Sequence, residues 1–206
     1  PELPELSITY ADYACWERDY LRGDVLDAQL SYWREKLTGC DTLHLPTDHA
    51  RPDKIDYRGA NYTMSLATSL SARLRTLAQS HSTTLYTVML SGFYLMLSKL
   101  SNQQDIIIGS PSDNRQHAQT QSLIGFFVNS LALRTEVSPT LKCEQLIKQV
   151  DACVQGAKVH QGLPFEKLVS ELGLERDMSR HPLFQVMFSL QRFGQALTSR
   201  SSLFDA

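Results

Sequence analysis

The segment at residues 84–100 limits the possible folds most, because it is apolar around nearly its whole circumference. Its large apolar residues recur on every face, at Leu85, Val88, Leu90, Phe93 and Leu97. A helix with this pattern is buried on all sides. A few residues later, three isoleucines at 106–108 form a β-branched run that is typical of a strand buried on both faces. A buried helix beside a buried strand predicts a layered α/β fold.

Helical and strand patterns alternate along the rest of the chain. Apolar spacing predicts a long helix over residues 13–37, with a break at Gly23-Asp24 left open, and further helices over 71–80, 84–100, 141–160 and 164–172. Strands are predicted over 62–66, 105–109, 126–137 and 184–190. We therefore expect an α+β layered sandwich, divided into a helix with a proline-rich connector (1–60), an α/β core (61–193) and a serine-rich tail (194–206).

Composition and charge exclude several classes of function. The 206 residues carry 20 Lys and Arg against 22 Asp and Glu, so no strong positive field attracts nucleic acid or anionic membrane. The most apolar window, 86–100, is too short to span a bilayer. The four widely spaced cysteines form no Cys-x-x-Cys pair, so we expect no metal site and a reducing, cytoplasmic location.

No compact catalytic motif is present, but four residues are candidates for a site. Arg115 ends a polar loop that leaves a predicted buried strand, although a solvated arginine with a weak surface salt bridge is the alternative. Gly125 permits a close approach to the backbone, and Asn129 places an amide where a strand favours an apolar group. Capping of neighbouring backbone is the alternative for Asn129. His160 is a weaker candidate, whose alternative role is capping the C-terminus of a helix.

Four segments carry a resemblance to a known family. They are YADYACW at 10–16, IGFFVN at 124–129, HQGLPFE at 160–166 and RDMSRHPLFQVMF at 176–188. They occur in the order seen in condensation domains of nonribosomal peptide synthetases. Shorter matches lie between them, so the resemblance covers residues 6–191.

The resemblance implies a pseudodimeric, chloramphenicol acetyltransferase-like fold with the active site in a tunnel between two lobes. This chain resembles the second lobe. The family's His-His-x-x-x-Asp-Gly motif, which supplies the catalytic His, belongs to the first lobe and does not occur here, so we expect no catalytic residue in this chain. Arg115 matches the family arginine that pairs with the Asp of that motif, Asn129 matches a residue near the tunnel, and Gly125 makes room there. Gly162 stands where the family usually has Asp.

The implied function is acyl transfer in antibiotic or secondary-metabolite biosynthesis. An amine on one carrier protein attacks the acyl thioester on another, with phosphopantetheine attached to the carriers and no cofactor bound directly. The implied partners are peptidyl or acyl carrier proteins, the upstream lobe and an adjacent adenylation domain, and the chain alone is expected to be inactive. Two alternatives stay open: an epimerisation or heterocyclisation domain of the same fold, and a noncatalytic module that docks carrier proteins.

Overall fold

The computed structural model describes residues 5–54, 58–173 and 179–191. Its helices are α1 (Tyr10–Tyr20), α2 (Gly23–Leu37), α3 (Thr68–Ser80), α4 (Leu85–Ser101), α5 (Cys143–Val159) and α6 (Phe165–Glu171). Its strands are β1 (Asp105–Ser112) and β2 (Asn129–Glu136), and a 3-10 turn at Ala118–Thr120 lies between them. The predicted tail at 194–206 and residues 176–178 of the last motif lie outside the described residues. No helix in the described ranges is long and apolar enough to cross a membrane.

The predicted helix over 13–37 is two helices that meet at Gly23. This glycine has φ +52°, a left-handed conformation that L side chains rarely adopt, so the chain turns there. Helix α1 begins with a capping box in which the Thr9 side chain accepts from the Asp12 backbone and the Asp12 carboxylate accepts from the Thr9 backbone. Helix α2 ends before Gly39, which has φ +67°.

The two strands form an antiparallel hairpin whose register runs from Asp105 opposite Glu136 to Ser112 opposite Asn129. Ile106, Ile107 and Ile108 are at most 2% exposed, as the prediction of a fully buried strand requires. Helices α4 and α5 pack together and against this hairpin, and the Tyr94 hydroxyl donates to the carbonyl of Leu133 at 2.7 Å. The expected α/β architecture is thus present, with the sheet in the centre.

Two predicted strands differ from the structure. Residues 62–66 form no strand, and Tyr62 and Met64 are 90% and 69% exposed, because no strand among the described residues pairs with this alternating segment. The segment at 184–190 is paired only by a parallel bridge between Gly109 and Met187. At that bridge the Phe184 ring lies so close to Gly109 that a Cβ there would overlap the ring.

The buried apolar residues form a main core and a small satellite core. The main core includes Trp33 from α2, Tyr94 from α4 and Val150 from α5. The satellite core consists of Tyr13, Leu123 and Phe127, with Ile8 packed against it. Since Tyr13 belongs to α1 and the other two belong to the segment between β1 and β2, the satellite core holds α1 against that segment.

Candidate functional site

Three segments meet at the loop end of the hairpin, where β1 ends and β2 begins. The third segment is the loop between α5 and α6, and the Ser112 hydroxyl donates to the side-chain oxygen of Gln161 across this junction. We call Ser112, Arg115, Gly125, Asn129 and Gln161 the hairpin-end site.

The Asn129 amide is buried and bonded at both ends. Its nitrogen donates to the carbonyls of Gln161 and Leu163, each at 2.8 Å. Its oxygen accepts from the backbone N–H of Ser130 at 2.9 Å and of Phe165 at 3.0 Å. Two donors and two acceptor positions are the full capacity of an amide, so this side chain fixes the α5–α6 loop to the start of β2.

Arg115 directs its guanidinium into its own loop. The guanidinium donates to the carbonyl of Thr120 and, at 3.0 Å, to that of Leu123, and it lies 4.0 Å above the centre of the Phe127 ring. A planar cation suits both contacts, because it offers several N–H donors in its plane and a face for stacking. Arg115 therefore shapes the 113–128 segment around the satellite core.

Gly125 has the close approach that the sequence predicted, and the neighbour is Tyr10. A Cβ on Gly125 would overlap the Tyr10 ring. The same ring packs edge-on against Phe127 at 5.2 Å, and its hydroxyl donates to the carbonyl of Phe126 at 2.9 Å. Arg115 and Gly125 thus act on one cluster, which joins the 10–16 and 124–129 segments.

His160 lies apart from that cluster and caps the C-terminus of α5, as its alternative role predicted. Its Nδ1 is 2.9 Å from the carbonyl of Gly156, and its ring stacks on that of Tyr32 with centroids 3.8 Å apart. Burial, with smaller contributions from Cys153 and Glu35, raises the pKa of the Tyr32 phenol to about 12. The backbone carbonyl of His160 accepts from the Trp33 indole at 3.0 Å. These contacts attach the end of α5 to α2.

Helix α6 has no side-chain cap of the usual kind, and its N-cap residue is Pro164 rather than Gly162. Helix α6 follows Pro164, whose position supplies no side-chain hydrogen bond to the helix. Asn129 compensates from another element, because its oxygen accepts from the first helical N–H, that of Phe165. Sequence reasoning missed this pairing, although it had singled out Asn129 as an unusual amide in a predicted strand.

A cavity of about 660 Å³ adjoins the hairpin-end site, and sequence reasoning missed it. Its walls come from the start of α4, the loop end of the hairpin, α5 and residues 189–191. The Tyr86 and Ser110 hydroxyls lie 2.7 Å apart in this wall, and burial raises the pKa of the Tyr86 phenol. In the sequence, the only hint of this cavity was that Tyr86 and Ser110 place a hydroxyl in two otherwise apolar segments.

Within the described ranges, no group of three or more His, Cys, Asp or Glu side chains is placed to hold a metal ion. The polar side chains of the hairpin-end site are two amides, a hydroxyl and a guanidinium.

The family model of the condensation domain matches residues 1–205. The chain belongs to the condensation domain family. A linear gramicidin synthase of Brevibacillus parabrevis is 46% identical over 204 residues, which are 98% of this chain and 4% of that protein. Malpinin synthetase of Mortierella alpina is 43% identical over 190 residues, which are 92% of this chain and 2% of that protein. The chain therefore spans only a small part of such relatives.

Solved structures confirm the fold. The X-domain from teicoplanin biosynthesis superimposes with a TM-score of 0.84 at 28% identity, over 91% of this chain and 43% of that one. A solved structure of the complex of the X-domain and OxyB also matches, with a TM-score of 0.84 at 28% identity, over 91% of this chain and 42% of that one. A four-domain nonribosomal peptide synthetase bound to AMP and glycine gives a TM-score of 0.87 at 28% identity, over 94% of this chain and 15% of that one. The expected family and α/β fold are both confirmed.

Proposed function

We propose that this chain is the second lobe of a condensation domain and that, with the first lobe, it forms amide bonds between carrier-bound substrates. The observation that carries the proposal is the family match over residues 1–205, together with a hairpin-end site in which Asn129 joins two of the segments that resemble the family, 124–129 and 160–166. The share of the X-domain that the chain covers, 43%, agrees with one lobe of two.

In the proposed reaction, the amine nitrogen of the acceptor attacks the carbonyl carbon of the donor thioester. The C–N bond forms, the C–S bond breaks, and the donor's phosphopantetheine thiol leaves with the proton that the amine loses. The phosphopantetheine belongs to peptidyl or acyl carrier proteins, and an adenylation domain of the same synthetase loads the acceptor. This chain supplies one wall of the site.

In this proposal the hairpin-end residues position rather than react. Asn129 holds the α5–α6 loop, while Gly125 and Tyr10 hold α1 against the 113–128 segment. Arg115 orders that segment and, in the two-lobe protein, pairs with the Asp of the first-lobe motif. No residue of this chain is assigned proton transfer.

The test compares this chain alone with this chain joined to the first lobe of a related synthetase, each mixed with loaded donor and acceptor carrier proteins. We expect the two-lobe protein to yield the joined product and the chain alone to leave both thioesters unjoined. Product from the chain alone, lost in His160→Ala, would overturn the assignment and make His160 catalytic. His160→Phe keeps a ring against Tyr32 and so separates loss of chemistry from loss of packing.

A noncatalytic interaction module is the second candidate, and the similarity to the X-domain favours it. The X-domain is known in complex with a protein, OxyB. If the two-lobe protein binds loaded carriers but gives no joined product, this candidate replaces the first.

A further inference from the structure

We propose that the cavity beside the hairpin-end site binds the apolar side chain of a carrier-bound aminoacyl or peptidyl group. This inference rests on the proposed function, because it names the part of the substrate that this lobe selects. We call it the hairpin cavity, and we define it by Tyr86, Ser110, Val128, Leu131, Val154 and Lys158.

The size and lining of the hairpin cavity suit part of a small molecule. Its volume of about 660 Å³ lies within the range of ligand pockets, which is roughly 300–1,000 Å³. Leu131 and Val154 are buried aliphatic residues in its walls, at 6% and 5% exposure. An apolar side chain that enters such a space leaves water and gains contact with carbon atoms on several sides.

The hydroxyl pair adds one polar feature to this apolar wall. Tyr86 and Ser110 have two hydroxyl hydrogens between them, and the 2.7 Å bond that joins them uses one. The other can be donated to an acceptor atom of the ligand. A carbonyl oxygen of an aminoacyl or peptidyl group is such an acceptor, so the pair orients a ligand whose side chain fills the rest of the cavity.

The charged groups of the wall lie at its exposed edge. Lys158 and Asp113 line the cavity, and both are exposed to solvent. Charged groups at that edge favour a ligand whose apolar side chain lies inside the cavity and whose polar backbone lies at the edge. An amino-acid derivative with an apolar side chain has that distribution of polarity.

The location ties the hairpin cavity to the proposed reaction. Val128 lines the cavity and directly precedes Asn129, while Ser112 both lines the cavity and bonds Gln161 of the α5–α6 loop. The cavity and the hairpin-end site therefore share a wall. A side chain in the cavity places its own backbone beside that site.

The test uses stable probes and the full 206-residue chain. The probes are leucyl and glycyl pantetheine amides, in which nitrogen replaces the thioester sulfur, and binding is measured by isothermal titration. We expect the leucyl probe to bind about tenfold or more tightly than the glycyl probe, since filling an apolar pocket with a few carbon atoms has an effect of that size. Equal affinities of the two probes would overturn the proposal, and this comparison needs no variant.

Val128→Trp is the variant that fills the cavity from its rim. Val128 is 54% exposed, so the larger ring is accommodated without repacking the core, and circular dichroism checks the fold. We expect it to abolish the preference for the leucyl probe. Ile124→Trp is the matched control, because Ile124 lies in the same loop, is 95% exposed and does not line the cavity. If both variants bind the leucyl probe equally, the cavity is not its site and the proposal falls.

The outcomes separate this proposal from the proposed function. Selective binding of the leucyl probe together with no amide formation by the two-lobe protein leaves the cavity assignment standing and removes the proposed reaction. Amide formation with no preference between the probes leaves the reaction standing and removes the cavity assignment.

Discussion

The oxygen of the Asn129 side chain accepts the first backbone N–H of α6, that of Phe165, at 3.0 Å. A residue at the start of a strand thereby caps a helix that begins 36 positions later in the chain. Because the nitrogen of the same amide bonds two carbonyls of the α5–α6 loop, one side chain fixes the loop and the helix together.

Replacing Asn129 should destabilise the chain strongly. Asn129→Ala removes four hydrogen bonds and leaves buried backbone groups without partners, so we expect the free energy of unfolding to fall by an amount on the order of 3 kcal/mol. Urea unfolding measures the change. Asn61→Ala is the control, because Asn61 is exposed. A loss no larger than that of the control would show that the four bonds do not stabilise the fold.

Asn129→Asp should be destabilising in a pH-dependent way. Its carboxylate would face the carbonyl oxygens of Gln161 and Leu163, each at 2.8 Å from the present nitrogen, and oxygen repels oxygen. A protonated carboxyl can donate to one of them, so the folded state favours protonation. Stability should therefore recover as the pH falls through the raised pKa of the folded state, and the recovery should be complete below the unfolded value of about 4. A destabilisation that is constant between about pH 7 and pH 4 would contradict this.

Arg115 should stabilise this chain by its planar shape as well as by its charge. Arg115→Lys keeps the charge but loses the second donor nitrogen, which reaches a second carbonyl, and the stacking on Phe127, so we expect a cost of about 1–2 kcal/mol in urea unfolding. Arg115→Met keeps only apolar packing and should cost more. Lys and Met variants as stable as the parent would contradict the structural role.

The same variants test the predicted pairing with the first lobe. A buried carboxylate that loses its partner costs about 3 kcal/mol or more. Arg115→Met should therefore destabilise the two-lobe protein more than it destabilises this chain. Equal losses in the two proteins would mean that no such pair forms.

Sequence patterns predicted the centre of this fold because its elements are fixed by burial. The isoleucines of the strand at 105–109 are buried, because an apolar β-branched run of that kind is stable only in the core. The helix at 84–100 was predicted to be buried on all sides, and that was wrong for one face: Leu90, Tyr94 and Leu97 are in the core, whereas Leu95, Met96 and Leu100 are 36%, 48% and 55% exposed. Apolar and polar residues alternate at 62–66 as they do in a strand, but a strand also needs a neighbouring strand to pair with. That pairing depends on residues distant in the chain, which the local pattern does not predict.

Sequence reasoning singled out three of the five residues of the hairpin-end site, Arg115, Gly125 and Asn129, but not Ser112 or Gln161 and not the arrangement. Gly125 and Asn129 stood out because glycine and amide groups are unusual beside apolar strand residues. Gly125 contacts Tyr10, 115 positions away in the chain, and Asn129 contacts Phe165, 36 positions away. Local residue spacing cannot predict contacts between such distant positions. The cavity depends on four separate elements and was not predicted at all.

Two glycine substitutions should have opposite effects. Gly125→Ala forces a Cβ into the Tyr10 ring, so we expect a loss of about 1–3 kcal/mol. Gly92→Ala lies on an exposed face of α4 with nothing within 4 Å of the new Cβ, and it should stabilise the chain by about 0.5–1 kcal/mol through helix propensity. Thermal unfolding of both variants measures whether each substitution lowers or raises stability.

A double variant shows whether Tyr10 is the cause. In a Tyr10→Ala background the ring is gone, so Gly125→Ala should cost much less than it does alone. Fluorescence of Trp16, which lies on α1, reports whether the helix stays in place. Additive losses would mean that the two residues do not interact.

The stacked pair of Tyr32 and His160 predicts how stability changes in alkali. Burial raises the pKa of the Tyr32 phenol from 10.0 to about 12, so the folded chain keeps that proton to a higher pH than the unfolded chain does. Between those values the folded state binds more protons, and stability therefore falls as the pH rises. The contribution is complete below pH 10 and is lost as the pH approaches 12. Tyr32→Phe has no phenol proton and should make this part of the stability curve less steep, although the pKa values of Tyr86 and Tyr94 are also raised by burial and keep some slope. Tyr62→Phe, at a ring that is 90% exposed, should leave the slope unchanged. Urea unfolding from about pH 9 to about pH 11.5 measures the two slopes, and equal slopes in the two variants would show that the Tyr32 phenol does not keep its proton in the folded chain.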